Sequence, residues 1–448
     1  MDFLKFKQLV ASEAQKLGIN EYELYYQAAE SISISAFQKE INKFSSALDG
    51  GVCLRCLVNG KMGYASTEAL SEQEASALLR RAADNAAVLE SEEEEFLTEG
   101  GAVYQKVSTN QQPLPGAECL KEKVLAGQEA LYAADSRVKD GSTGQIFAEK
   151  MYLAIHNSKG LDLSYENTLV GYMAGAVVGD QGEMVNDYEM RVAPLEEIDI
   201  SEVANEAVKN AVSKLGAGVA PTANMPVVFA PSAMKQLLGT YSGVFSAENA
   251  LKGLTLLKGK EGQKIAADCV TLVDDPFYPQ SPMPMPFDAE GTPTHCKNII
   301  QNGVLNTLLY NCKTARAAGK ENTGNAAKAG YDSKVSVRPF TMYLTPGKCT
   351  EAELLEKVEN GIYITDLGGL HAGANTISGD FSLQSSGFLI ENGKKTVPVR
   401  SFTVAGNFFQ LLNGIQEIAS EMEMKGATGS TAFLSPAVWV EGLSIAGK

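Results

Sequence analysis

Three Asn-Gly dipeptides, Asn59-Gly60, Asn302-Gly303 and Asn392-Gly393, constrain the fold more than any other feature. A two-residue hairpin turn needs left-handed backbone at both central positions, and Asn and Gly adopt it with little strain. Each dipeptide has β-prone neighbours, so antiparallel hairpins are expected near both ends of the chain. In the first, residues 51–58 read as a strand and residues 61–66 as its return. Upstream, Ser31-Ile32-Ser33-Ile34-Ser35-Ala36 alternates with a period of two, the mark of a half-buried strand. Helical signals lie between these strands. A helix is expected through Gln15, and Ser71-x-x-Glu74 is a capping box for another running to about Glu90. Residues 115–133, 201–215 and 408–424 read as further helices, and Thr350-x-x-Glu353 opens a short one. Helices and strands intermix without a βαβ rhythm, so the expected class is α+β.

A chain of 448 residues is too long for one core. Composition shifts divide it into an N-terminal α+β unit (1–90), a middle unit (113–220) and a C-terminal, mainly β unit (225–448). The acidic run Glu92 to Glu95 reads as a solvated linker. The proline-rich stretch from Pro276 to Pro286 reads as a rigid, exposed connection.

The formal net charge of −16 repels phosphate backbones, which argues against direct nucleic-acid binding. Seven cysteines do not form the paired framework of a secreted protein. The N-terminal residues read as an amphipathic helix rather than a signal peptide, and the least polar stretch, residues 169–179, is too short for a bilayer. No membrane association and a cytoplasmic location are expected.

The local motifs for chemistry are weak. Cys53-x-x-Cys56 lies in a strand, where positions three apart face opposite sides and cannot chelate one ion without a bend. The three histidines, His156, His295 and His371, lie in separate segments, and HExxH or HExxxH is missing. His295 and Cys296 are neighbours, but adjacent strand residues face apart. Asp274-Asp275 and Asp288/Glu290 flank the proline-rich stretch and could form a carboxylate pair, although Asp beside Pro and Gly more often shapes turns. No G-x-S-x-G marks a serine nucleophile, and Gly368-Gly369 lacks nucleotide-loop spacing.

An ordered set of motifs carries a resemblance further. Val273-Asp274-Asp275-Pro276 precedes Phe287-Asp288-Ala289-Glu290-Gly291-Thr292-Pro293, then Gly303-Val304-Leu305, Thr323-Gly324-Asn325 and Gly361-Ile362-Tyr363-Ile364-Thr365-Asp366-Leu367. Ser378-Gly379-Asp380-Phe381-Ser382, the segment Gly387 to Gly393, Pro398-Val399 and Ala405-Gly406-Asn407 follow. In order and spacing the set resembles the TldD/PmbA family, and Gly361 to Leu367 is similar to its PmbA (TldE) branch. Residues 1–90 agree more loosely.

The resemblance implies peptide hydrolysis by a heteromeric metallopeptidase. TldD-type members bind zinc through a helical HExxxH, helped by a cysteine near the C-terminus. The corresponding helix here, residues 231–253, reads Leu238-Gly239-Thr240-Tyr241-Ser242-Gly243-Val244, and Lys425 to Ser430 stands where the cysteine would be. The expectation is therefore a chain with no catalytic residue, metal ligand or cofactor of its own. A TldD-like partner supplies zinc, and this chain forms part of a chamber for unfolded peptide substrates. Asp366, His371, Asn375 and Asp380 are the expected cavity-lining residues; the plainer alternative is that they fix turns and strand ends. A self-sufficient homodimeric peptidase and a protein-binding regulator of the DNA gyrase modulator type are the competing expectations.

Overall fold

The computed structural model describes residues 1–90, 95–422 and 424–447. Its N-terminal half contains α1 (Phe3–Leu17), β1 (Glu21–Phe37), β2 (Glu40–Val58), β3 (Lys61–Thr67) and α2 (Glu72–Ala87). There follow α3 (Ala117–Ala134), β4 (Thr143–Asn157), β5 (Asp162–Asp180), β6 (Glu183–Val192) and α4 (Ile200–Ser213). The six strands form one antiparallel sheet in the order β3-β2-β1-β4-β5-β6. Residues 1–90 and 113–220 thus share one sheet. Tyr25 pairs with both Cys53 and Ile155, so the central ladder joins the two. The linker between them says nothing of this, because strand pairing is non-local. Of the acidic run, Glu92, Glu93 and Glu94 lie outside the described residues, while Glu95 accepts a 2.7 Å hydrogen bond from Tyr64 Oη.

All four helices cover one face of this sheet. Phe6, Val10, Leu78 and Leu79 bury Leu24 and Leu54 at one end; Leu120, Val124 and Val203 bury Ile34 and Ile146 at the other. The opposite face, through Tyr25, Cys53, Leu153 and Ile155, packs on Met283, Met285 and Phe287 of the C-terminal half. Cys53 and Cys56 thus sit in separate clusters on opposite faces, and burial raises both thiols, Cys56 to about 11. The proline-rich connection is less exposed than its composition suggested, because its methionines are the docking surface for the sheet.

The C-terminal half begins with β7 (Ala223–Phe229), α5 (Pro231–Tyr241), a 3₁₀ turn (Ser242–Phe245) and α6 (Ala247–Leu251). Next are β8 (Leu272–Asp274), β9 (Lys297–Gln301), β10 (Val304–Leu305), α7 (Cys312–Ala318), β11 (Ala326–Ala327), β12 (Ser336–Val337), β13 (Thr341–Leu344) and α8 (Glu351–Val358). The chain ends with β14 (Gly361–Gly368), α9 (Leu370–Gly373), β15 (Asp380–Glu391), β16 (Lys394–Asn407), α10 (Phe408–Gly414), β17 (Ile415–Ile418), β18 (Ala432–Leu434) and β19 (Val438–Ala446). Two sheets, β16-β15-β14-β7-β19-β17 and β10-β9-β8-β13-β18, share a core that includes Phe229, Leu237, Tyr241, Met342 and Phe408.

All three Asn-Gly pairs have positive φ at both residues, and each closes a hairpin. Both capping threonine or serine side chains accept from the N3 amide, and at Thr350 the Glu353 carboxylate completes the box. Glu74 instead pairs with Arg81. The helix expected over 408–424 ends at Gly414, where Ile415 turns extended and pairs with Val440. Tertiary pairing overrides the helical pattern there.

Candidate functional site

Two polar regions include the motifs singled out above. In the first, burial is nearly complete. Asp274 is 0% exposed; its carboxylate accepts from Phe340 N (2.7 Å), Asn325 Nδ2 (2.7 Å) and Lys297 Nζ (3.2 Å). Asn325 in turn accepts from Thr323 Oγ1 and Lys297 Nζ. Asp288 accepts from the amides of Glu290, Thr292 and Ala326, each at 2.9 Å, so it shapes the turn that its neighbours Gly291 and Pro293 suggested. Glu290 reaches the N-terminal sheet: Oε2 accepts from Cys312 N, and Oε1 lies 3.6 Å from Arg55 Nη1. Arg55 Nε donates to Glu23 at 2.8 Å, and Asn157 Nδ2 donates to the other Glu23 oxygen.

Burial pushes Arg55 down and Glu23 up, while their contact pulls both the other way; Arg55 ends above its usual value and Glu23 also ends raised. Those two directions imply different charge states. The 2.8 Å contact and the second, Asn157-bound oxygen favour the ionised pair. Burial first, then the Glu290 charge, pushes Asp288 up to about 7. Every one of these carboxylates is engaged inside the fold. Glu23 and Glu290 join the two halves through Arg55, while Asp274 and Asp288 brace the C-terminal half.

The second region is the end of the sheet where β14 and β15 are joined. Gly369, in left-handed backbone, turns the chain into the single turn of α9, and His371 stands exposed on it. Asn375 Oδ1 accepts from the amides of Ile377 and Ser378, and its own amide donates to Asp380 O. Asp380 accepts from Ser378 Oγ (2.8 Å) and Asn407 Nδ2 (2.9 Å), bonds that hold its carboxyl below the usual value. Asn375 and Asp380 thus set the loop, and both remain exposed on it. Gly379 has φ +86°, and a Cβ there would meet the Phe409 ring at 2.6 Å, so only glycine fits this corner.

Asp366 and His371 are exposed, as Asn375 and Asp380 are, but Asp366 is held from a different element. Gln236 of α5 clasps the strand end, donating to Asp366 Oδ1 and accepting from Leu367 N, both at 3.0 Å. Ser232 Oγ adds a bond to Thr365 O. Tyr188, exposed on the edge strand β6, stands close enough that, after partial desolvation, the Asp366 carboxylate contributes to raising its phenol. The N-terminal sheet thus borders the same polar corner. Sequence reasoning missed Gln236 and Tyr188, because neither lies near the loop in the chain.

The helix expected to carry the family's metal ligands breaks into α5, the 3₁₀ turn and α6. Leu238 and Tyr241 point into the core, where Tyr241 stacks on Phe408 with centroids 4.4 Å apart and donates to Asp380 O. Its more accessible side carries Gln236, Gly239 and Thr240, and the Thr240 hydroxyl donates to Gln236 O. Amide and hydroxyl groups already bonded in this way do not fit a zinc ion, which takes imidazole, thiolate or carboxylate. Lys425 is bound up as well, 3.3 Å from Glu206 and 3.7 Å from Glu189. Among the described residues no three His, Cys, Asp or Glu side chains gather in a metal-binding group, and no helix is long and apolar enough to cross a membrane.

Comparison with known proteins gives matches along the chain. Residues 22–86, 114–215 and 222–447 match the first, central and C-terminal domains described for PmbA/TldA metallopeptidases. A metalloprotease PmbA homolog of Haemophilus influenzae is 25% identical over 413 residues, 89% of this chain and 88% of that one. A crystal structure of a Thermotoga maritima protein, proposed as a modulator of a DNA gyrase, superposes with a TM-score of 0.91 at 30% identity, covering 99% of this chain and 100% of that one. TldE from Thermococcus kodakarensis has the same fold, with a TM-score of 0.88 at 23% identity over 98% of this chain and 99% of that one.

Proposed function

Because this chain belongs to the PmbA/TldD metallopeptidase family, we propose that it is the PmbA-type subunit of a peptide-cleaving complex whose metal site lies on a TldD-like partner. The observation that carries this reading is α5. At the place where zinc-binding members carry their ligands, this helix offers Gln236, Gly239 and Thr240 and turns Leu238 and Tyr241 inward. Zinc on the partner would supply an activated water. This chain's own groups bind and orient the peptide. The Gln236 clasp holds Asp366 at the chamber wall, where its carboxylate accepts from peptide N–H groups or pairs with a basic side chain. His371 and Tyr188 offer further polar contacts from either side. Among the described residues β6 is an edge strand of its sheet, and such an edge suits an extended, unfolded peptide.

The test is to purify the chain alone and with a TldD-like protein bearing HExxxH, then to measure bound zinc and cleavage of unfolded peptides. The expected outcome is zinc and cleavage only in the mixture. Cleavage by the zinc-free chain alone would overturn the subunit reading. Failure to form a stable complex would favour a protein-binding regulator instead.

A further inference from the structure

At the polar corner where β14 ends, Asp366 is exposed and has no cation beside it among the described residues. The acids of the neighbouring strand β6 each have one. Glu183 meets Arg400 at 2.9 Å, Asp187 meets Lys214 at 3.1 Å and Glu189 meets Arg191 at 3.4 Å. Asp366 Oδ1 accepts from the Gln236 side-chain amide, which orients the carboxylate without neutralising it.

Strand register brings an aromatic ring to the same place. Asp366, Ser386 and Arg400 lie side by side across β14, β15 and β16, so the Arg400–Glu183 contact pins the start of β6 beside this row. Near the other end of β6, Met190 lies against Gly426. Tyr188 falls between these two anchors, 60% exposed, and the Asp366 charge reaches its phenol. Directly opposite it on β5 stands Gly175, whose missing side chain leaves one flank of the ring open. Met173 and Met190 pair two residues along, on the same face, and supply apolar surface next to that gap.

We propose that Tyr188 and Asp366 form a subsite that selects a lysine or arginine side chain of the unfolded peptide, its cation held between the ring face and the carboxylate. This selection rests on the peptide-binding role of the corner and adds the residue class that the corner reads. A long cationic side chain suits each part. Its methylenes cover Met173 and Met190 while its charged head stays in the open at Asp366. The ring face attracts a cation, and the carboxylate adds an opposite charge. A neutral side chain of similar length keeps only the apolar contact, and a glutamate is repelled by Asp366.

Fluorescein-labelled unfolded peptides that differ only in one central Lys, Arg, Gln or Glu provide the test. Binding is read by anisotropy on the full chain, alone and with a TldD-like partner, and cleavage is read in the mixture. The Lys and Arg peptides should bind about fivefold tighter than the Gln peptide, with the Glu peptide weakest. In the mixture the same order should appear in KM while kcat stays level. Asp366→Asn should remove most of the preference, and Asp366→Lys should turn it towards the Glu peptide. Tyr188→Leu should lose part of it, and Tyr188→Phe should restore that part, because the ring face rather than the hydroxyl meets the cation. Equal binding of the four peptides, or none, would overturn the subsite, as would a Lys preference that survives Asp366→Lys. Lysine-selective binding without cleavage in the mixture would leave the subsite standing and sink the subunit reading instead.

Discussion

The ion cluster around Arg55 and the loop between β14 and β15 are both rich in acidic and amide side chains, yet the first is closed to solvent and the second open to it. Arg55, Glu23 and Glu290 are each at most 5% exposed and bind one another across the two halves of the chain. Asp366, His371 and Asp380 are exposed, and a rigid backbone presents them. A buried carboxylate must find its partners inside the protein, because leaving it unpaired costs several kcal/mol. An exposed one is free to meet a ligand. Resemblance to a family motif is therefore compatible with either role, and burial separates them.

The largest effect should come from breaking the closed region. Arg55→Met strands Glu23 and Glu290 without their cation and should lower stability by about 3–5 kcal/mol in urea unfolding. A loss below about 1 kcal/mol would remove the contrast drawn above. A smaller, pH-dependent effect should come from Asp288. Its folded pKa, near 7, lies above the ordinary 3.8, so the folded state holds this proton more tightly than the unfolded chain does. Its contribution is fully present below about pH 3.8 and is lost as pH rises towards 7. Melting curves across that window should slope downward with pH for the parent and flatten in Asp288→Asn; equal slopes would show that the backbone donors keep the carboxylate charged.

The open region should respond differently. Gly379→Ala forces a side chain into left-handed backbone and against Phe409, so about 1–2 kcal/mol of stability should go. Asp366→Ala and His371→Ala should leave the melting midpoint unchanged, because surface positions away from buried networks contribute little. In the complex with a TldD-like partner they should raise KM for peptides more than they lower kcat. If either variant unfolds the protein instead, the open region is structural too, and the comparison fails.

The peptide-binding expectation for Asn375 and Asp380 shows where linear reading ends. Their residue types and the nearby Gly379 signal a turn as readily as a ligand site, and their hydrogen bonds build the turn while both side chains stay exposed. Asp366 keeps its candidacy through Gln236, which is 130 residues away in the chain. A contact of that kind leaves no local pattern. The same holds for the helix expected over 408–424, whose second half became β17 because Ile415 found Val440.

Local chemistry determined what local energy controls: the Asn-Gly hairpins, the caps at Ser71 and Thr350, the opposed faces of Cys53 and Cys56, and the turn built by Asp288. Each depends on backbone sterics or on bonds within a few residues, so it is written in adjacent letters. Only the tertiary structure decided that the first six strands make one sheet, that Met283 and Met285 dock it, and that Arg55 meets Glu290. Those outcomes depend on which distant surfaces exclude water together, and no short stretch of sequence encodes its partner.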